Sequence, residues 1–216
     1  MNELSEQLKG RFLVFDGPDG SGKSTQIDRF SSWCTDRSVR IELVRDPGAT
    51  DIGEAIREIL LNPAHQEMTV RAEMLLYMAS RSQLIRERIH PSLDRGDLVL
   101  ADRFISSTLA YQGTAGGLSA DEILAVGDVA TDGIKPDLVV IFDVDAETSQ
   151  SRLSGEKDRM ELKGTEFHRR VRDGYLSQAA RNPQGHLVID ASMNENQVFE
   201  SLIDGLQSRF VSTATH

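Results

Sequence analysis

Gly17 is separated by four residues from the triplet Gly22-Lys23-Ser24, within the stretch FDGPDGSGKST at positions 15–25. An apolar run, RFLVFD (11–16), precedes it, and Ile27, Phe30 and Cys34 follow it at helical spacing. A strand that turns through glycines into a helix start is a cradle for an anion. The glycines let the backbone take positive φ, and successive N–H groups with the helix N-terminus point at the charge. The spacing predicts a nucleotide-phosphate loop made of Gly17, Pro18, Asp19, Gly20, Ser21, Gly22, Lys23, Ser24 and Thr25. In such a loop Lys23 reaches the β- and γ-phosphates of a nucleotide and the Ser24 hydroxyl ligates Mg²⁺. The loop alone leaves the fate of the phosphate open, since hydrolases, motors and kinases share it.

Five apolar runs read as strands: 11–16, 39–45, 97–102, 137–144 and 186–190. Several are apolar on consecutive residues, which marks strands buried on both faces of a parallel sheet. Helical patterns lie between them, with further helices expected at about 67–90, 146–153, 165–181 and 195–209. This alternation predicts an α/β domain with right-handed crossovers, a five-stranded parallel sheet between helical layers. Ile52, Ile56, Ile59 and Leu60 share a helix face, behind a capping box expected from Asp51 and Glu54; Ser119 and Glu122 repeat that signature. The glycine-rich residues 113–119 are expected to form a loop. The charged segment 154–164, between Gly155 and Gly164, reads as a solvated surface loop or as a mobile lid.

At 216 residues and 39% hydrophobic composition the chain has material for a single core, taken here as one domain over 1–216. A net charge of −10 argues against nucleic acid or an anionic membrane as the main partner. One cysteine, Cys34, excludes an internal disulfide and suits a reducing cytoplasm. No apolar run approaches a membrane span. No Asn-Lys-x-Asp guanine-reading motif is present, which argues against a GTPase.

A kinase needs a second anionic site for its acceptor. Arg45 ends the second strand, before a Pro-Gly turn, and Arg103 follows the third. Ligands of doubly wound sheets sit at the carboxyl ends of strands, so the two guanidiniums are placed to converge on one phosphate, or else to pair with Asp46 and Asp102. Val70, Met74, Tyr77, Met78, Arg81 and Ile85 share one helix face. Arg81 thus falls in an apolar stripe, where it needs a ligand or a carboxylate such as Glu73 or Asp102. A nucleobase stacked on Tyr77 with an acceptor toward Arg81 satisfies both side chains.

FDGPDGSGKST, RDPG, AEMLLYMASRSQL, ADRFISSTLAYQG and DRME, in that order, resemble the thymidylate kinases, a family of nucleoside-monophosphate kinases, over almost the whole chain. The resemblance implies a three-layer P-loop kinase fold with a small lid at about 151–164. It implies ATP as donor, dTMP as acceptor, Mg²⁺ as cofactor, and a cytoplasmic homodimer that binds neither nucleic acid nor membrane. Carried over by position, Asp19 sits near the 3′-hydroxyl of dTMP and orients an acceptor-side arginine. Arg45 and Arg103 take the dTMP phosphate, Tyr77 stacks on thymine, Arg81 bonds its edge, and Ser107 and Gln112 line the base pocket. Tyr111 crowds the sugar 2′ position. Arg152 packs near adenine, Lys157 and Arg159 reach the transferring phosphate from the lid, and Glu161 supports the metal or the closed lid. The phosphate loop has no arginine, so the catalytic set is Asp19, Lys23, Arg103, Lys157 and Arg159, as in the bacterial type. Three positions depart from the usual pattern: Asp46 stands for Glu, Tyr77 for Phe, and Phe104 for Tyr or His. The rivals are a P-loop kinase for another nucleotide or a nucleoside, and an ATP-dependent regulator without transfer.

Overall fold

The computed structural model describes residues 3–152 and 158–211, apart from the Gln150 side chain. Five parallel strands, β1 (Phe12–Asp16), β2 (Ile41–Arg45), β3 (Leu98–Asp102), β4 (Leu138–Asp143) and β5 (His186–Asp190), stand in the order β2-β3-β1-β4-β5. The consecutive apolar residues of β1, β3 and β4 are buried because these strands are flanked on both sides; in register, Val14 lies between Ala101 and Val139. β2 and β5 are the edges, and their outer residues Leu43 and Val188 are 44% and 42% exposed.

Helices α1 (Glu3–Gln7), α2 (Lys23–Thr35) and α10 (Glu195–Phe210) cover one face of the sheet. Phe15 meets Phe30 and Phe142 there, with centroids 5.4 and 5.2 Å away, and Cys34 is buried beside them. The other face carries α4 (Val70–Leu84), its continuation through a π-helical turn at Ile85–Ile89 into α5 (His90–Asp94), and α9 (Thr165–Arg181). Phe12 packs edge-on against Phe104 at 5.1 Å in that core. Each fully buried Phe or Leu contributes about 1.5–3 kcal/mol, so the two cores fix the sheet and leave its C-terminal edge to function.

Four local expectations are corrected. Helix α3 (Asp51–Leu61) is capped by Thr50, whose hydroxyl accepts from Gly53 N, while Glu54 accepts from Ala49 N rather than closing a box on Asp51. Its buried side runs through Gly53 and Leu60; Ile52 and Ile59 are 54% and 44% exposed, so the apolar face read from the sequence is not the packed one. Ser119 precedes α7 (Ala120–Thr131) but makes no side-chain cap. The glycine-rich stretch begins inside helix: α6 (Ile105–Thr108) continues with π-helical geometry through Leu109–Ala115. Helix α8 (Ala146–Arg152) ends the first described part.

Candidate active site

The phosphate loop leaves β1 at Asp16 and enters α2 at Lys23. Gly17 has φ 138°, and a Cβ there would lie 2.5 Å from the Phe142 carbonyl oxygen, so only glycine fits. Gly22, at φ 83°, forms the left-handed N-cap that aims the helix start into the loop. Lys23 is buried, and its Nζ donates to the carbonyls of Gly17 at 3.0 Å and Pro18 at 2.9 Å. Burial, and then the nearby Arg103 charge, press its pKa down to about 8.

Two cavities open at this edge of the sheet. The larger, about 1490 Å³, is lined by the loop from Asp19 to Gln26, by Arg152 and Glu161, and by Ala191, Met193, Asn194, Glu195 and Val198 near the start of α10. Arg152 is anchored there by donation to the Ala191 carbonyl at 2.9 Å. Ser24 and Asp102 share this wall. Asp102 Oδ1 is buried and has no hydrogen-bond partner among the described residues. A hydroxyl beside an unsatisfied carboxylate oxygen is a donor set that suits a hard divalent cation such as Mg²⁺.

The smaller cavity, about 540 Å³, is lined by Tyr77, Arg81, Ser107, Thr108, Tyr111 and Gln112, with Asp46 and Pro47 at one end and Asp158 and Met160 at another. Arg81 is 1% exposed; its Nε donates to Asp46 Oδ2 at 2.6 Å and its Nη2 to Thr108 Oγ1 at 3.2 Å, with the Phe104 ring beneath the guanidinium. Burial holds Asp46 above the usual carboxylate range, against the opposing Arg81 charge. Tyr77 keeps its phenolic proton, because burial and the Glu73 charge push its ionisation up.

Asp19, Arg57 and Arg103 line both cavities. Arg103 sits at φ 71°, a left-handed conformation unusual for a side-chain-bearing residue, secured by donation of its N–H to Phe15 O at 3.0 Å. Its Nη1 donates to Gly17 O, Ser107 Oγ and the Tyr175 hydroxyl at 3.0–3.1 Å, and its Nη2 donates to Asp19. Tyr111 donates to the other Asp19 oxygen at 2.8 Å. Burial works against the Asp19 charge, but Arg103, Lys23 and the Tyr111 hydroxyl outweigh it, so its pKa lies below the ordinary value. Behind this pair, the wholly buried Asp16 accepts from Ser106, Ser107 and Tyr175 at 2.6–2.7 Å.

Most expected site residues therefore converge. Two do not. Arg45 is exposed, its Nη2 donating to both Glu54 carboxylate oxygens at 2.9–3.0 Å, outside the smaller cavity, because alternation along β2 puts it on the side of Ile41, toward α2, and not on the side of Val44, toward α4. Arg57, one helix on, takes the place expected of Arg45; its Nη1 donates to the Pro47 carbonyl at 3.1 Å. Arg159 does not reach into either cavity: it is 4% exposed and bound to Glu73 and to the Leu60 carbonyl. Lys157 lies outside the described residues. Arg81 has a structural carboxylate, but it is Asp46, not Glu73 or Asp102. The Ser107 hydroxyl serves Asp16 and Arg103, so its role is to hold the arginine as well as to line the cavity. Sequence reasoning missed Arg57, Asp16 and Tyr175, and it offered Glu73 to Arg81, whereas Glu73 meets Arg159 and Lys163. Arg57 carried one signal, a cation three residues before the buried Leu60 on the inner side of α3.

The thymidylate kinase family model matches residues 15–202. The chain belongs to the thymidylate kinase family. A thymidylate kinase of Geobacillus sp. (strain WCH70) is 44% identical over 200 residues, covering 91% of this chain and 95% of that one. One from Pelotomaculum thermopropionicum is 46% identical over 194 residues, 88% and 90% of the two chains. The crystal structure of thymidylate kinase from Ehrlichia chaffeensis superposes with a TM-score of 0.77 at 31% identity, over 92% of this chain and 99% of that one. The five-stranded sheet flanked by helices is thus the architecture of this kinase family.

Proposed function

We propose that the chain transfers the γ-phosphoryl group of ATP, bound in the larger cavity, to dTMP, bound in the smaller one, giving ADP and dTDP for dTTP synthesis. The observation that carries this reading is the wall of Asp19, Arg57 and Arg103 common to both cavities, where donor and acceptor phosphates meet.

The acceptor is a phosphate monoester whose second pKa is about 6, so it is largely dianionic at neutral pH and needs no strong general base. Catalysis then rests on alignment and charge neutralisation. Lys23 and the loop N–H groups hold the ATP phosphates. Arg57 and Arg103 hold the acceptor phosphate, and Arg103 keeps its aim through Asp16, Asp19 and Tyr175. Asp19 also faces the sugar with Tyr111, whose ring crowds the 2′ position. Tyr77 stacks on the base and Arg81 addresses its edge. Ser24 and Asp102 are the residues that would hold Mg²⁺, which neutralises charge on the β- and γ-phosphates when bound. Lys157 is the lid cation assigned to the transferring phosphate, and Glu161, on the wall of the larger cavity, supports the lid.

We assign the active form as a cytoplasmic homodimer, with 151–164 as the lid. No helix among the described residues is long and apolar enough to cross a membrane. Helices α4 and α7 pack together and carry the exposed Leu75, Leu124 and Val129, the last 83% exposed, which favours pairing through that face. Sedimentation tests the assembly. The reaction is tested by coupled ADP release with dTMP, dUMP, dCMP, AMP and thymidine; a better acceptor than dTMP overturns the assignment.

A further inference from the structure

Glu73 projects from α4 into the protein and is 1% exposed. Three groups converge on it. Arg159 Nη1 lies 2.5 Å from Oε2, Lys163 Nζ lies 3.1 Å from the same oxygen, and Gln112 Nε2 donates to Oε1 at 2.6 Å. Gln112 is itself 1% exposed and lines the smaller cavity. With two cations against it, Glu73 presents acceptors only. A Gln112 amide turned the other way would set oxygen against oxygen in a dry site, which is costly. Glu73 therefore dictates the amide polarity, with Nε2 turned toward Glu73, and Gln112 itself lines the smaller cavity.

We infer that Glu73 is a specificity-determining positioning residue, which fixes Gln112 as a hydrogen-bond acceptor toward the base and so selects a pyrimidine carrying a 4-keto group and an N3–H. The inference rests on dTMP occupying the smaller cavity. Arg81, on the same wall, offers donors only. Donor beside acceptor matches the O4 and N3–H of thymine or uracil. Cytosine presents the reverse pattern, an amino group and a bare N3. A site built to bond one pattern rejects the other because buried polar groups are left unpaired.

The polarity is tested by replacing Glu73 with its amide. In Glu73→Gln the new NH₂ can donate to Gln112 Oε1, so Gln112 is free to turn. The ratio of kcat/KM for dTMP over dCMP is expected to fall at least tenfold from the wild-type value. Lys163→Met, which leaves the carboxylate in place, is expected to keep that ratio within about twofold. A merely structural role would lower both substrates together and leave the ratio unchanged, and an unchanged ratio in Glu73→Gln overturns the inference. If Glu73→Gln does not fold, Glu73→Asp and Glu73→Asn make the same comparison, with selectivity retained by Asp and lost by Asn; equal selectivity in the two overturns it. Wild-type enzyme is assayed first: failure to prefer dTMP would count against the proposed function, whereas wild-type preference with an unaffected Glu73→Gln ratio counts against this inference alone.

Discussion

The Tyr175 hydroxyl lies 2.6 Å from Oδ1 of Asp16, although the two residues are 159 positions apart. The same hydroxyl accepts from Arg103 at 3.1 Å. Helix α9 thereby braces the carboxylate at the end of β1 and the arginine that faces both cavities. A hydrogen bond to a charged group contributes about 1.5–3 kcal/mol. Tyr175→Phe is expected to raise the KM for dTMP roughly tenfold and to lower unfolding free energy by about 2 kcal/mol, with the KM for ATP little changed. Steady-state kinetics and urea unfolding read the two effects; an unchanged KM for dTMP would place Tyr175 outside the acceptor site.

Arg57 and Arg45 make opposite predictions. The Arg45–Glu54 pair is about half exposed, and exposed pairs contribute about 0–1 kcal/mol. Arg45→Ala is expected to leave kcat/KM for dTMP within about threefold of wild type. Arg57→Ala removes a cation from the shared wall and is expected to cost about a hundredfold, or roughly 2.7 kcal/mol. The reverse ranking would restore Arg45 as the phosphate ligand.

Lys23 gives a pH signature. Its folded pKa of about 8 lies below the ordinary 10.5, so burying the charged form costs stability below pH 8, and that cost is relieved between about pH 8 and 10.5. Polyphosphate favours the charged form. ATP binding at pH 8.5 is expected to take up about three quarters of a proton and to weaken as pH rises further. Calorimetry in buffers of different ionisation enthalpy measures the uptake, which Lys23→Gln should abolish.

Asp46 and Arg81 are both essentially wholly buried. Breaking such a pair from one side leaves an uncompensated charge and costs about 3–5 kcal/mol. Asp46→Asn is expected to lower Tm by roughly 10 °C for a chain of this length. A fall of less than about 2 °C would show that the arginine finds another partner.

Asp102→Asn tests the proposed metal site. Oδ1 of the native carboxylate is buried and has no hydrogen-bond partner among the described residues. The variant is expected to need at least tenfold more Mg²⁺ for half-maximal rate. An unchanged Mg²⁺ dependence would remove Asp102 from the metal's surroundings.

The strands were legible in the sequence because β1, β3 and β4 are apolar without alternation, and burial on both faces is the only environment that suits them. The phosphate loop was legible because its glycines and its lysine lie within one short stretch. Arg57 was not legible for a geometric reason: Arg45 and Arg57 both flank the same Pro-Gly turn, and spacing does not reveal which guanidinium turns toward the cavities. The partner of Arg159 was not legible because a charged segment gives no sign of the buried carboxylate that meets it on α4. The Asp16–Tyr175 contact joins the first strand to a late helix, and no local pattern records such a pairing.

The common wall has a consequence for how the two nucleotides sense each other. Filling either cavity brings negative charge to the same two guanidiniums, so the second arrival meets a potential already altered by the first. In the proposed reaction, binding of donor and acceptor is therefore thermodynamically linked. Whatever factor ATP imposes on the affinity for dTMP, dTMP must impose on the affinity for ATP.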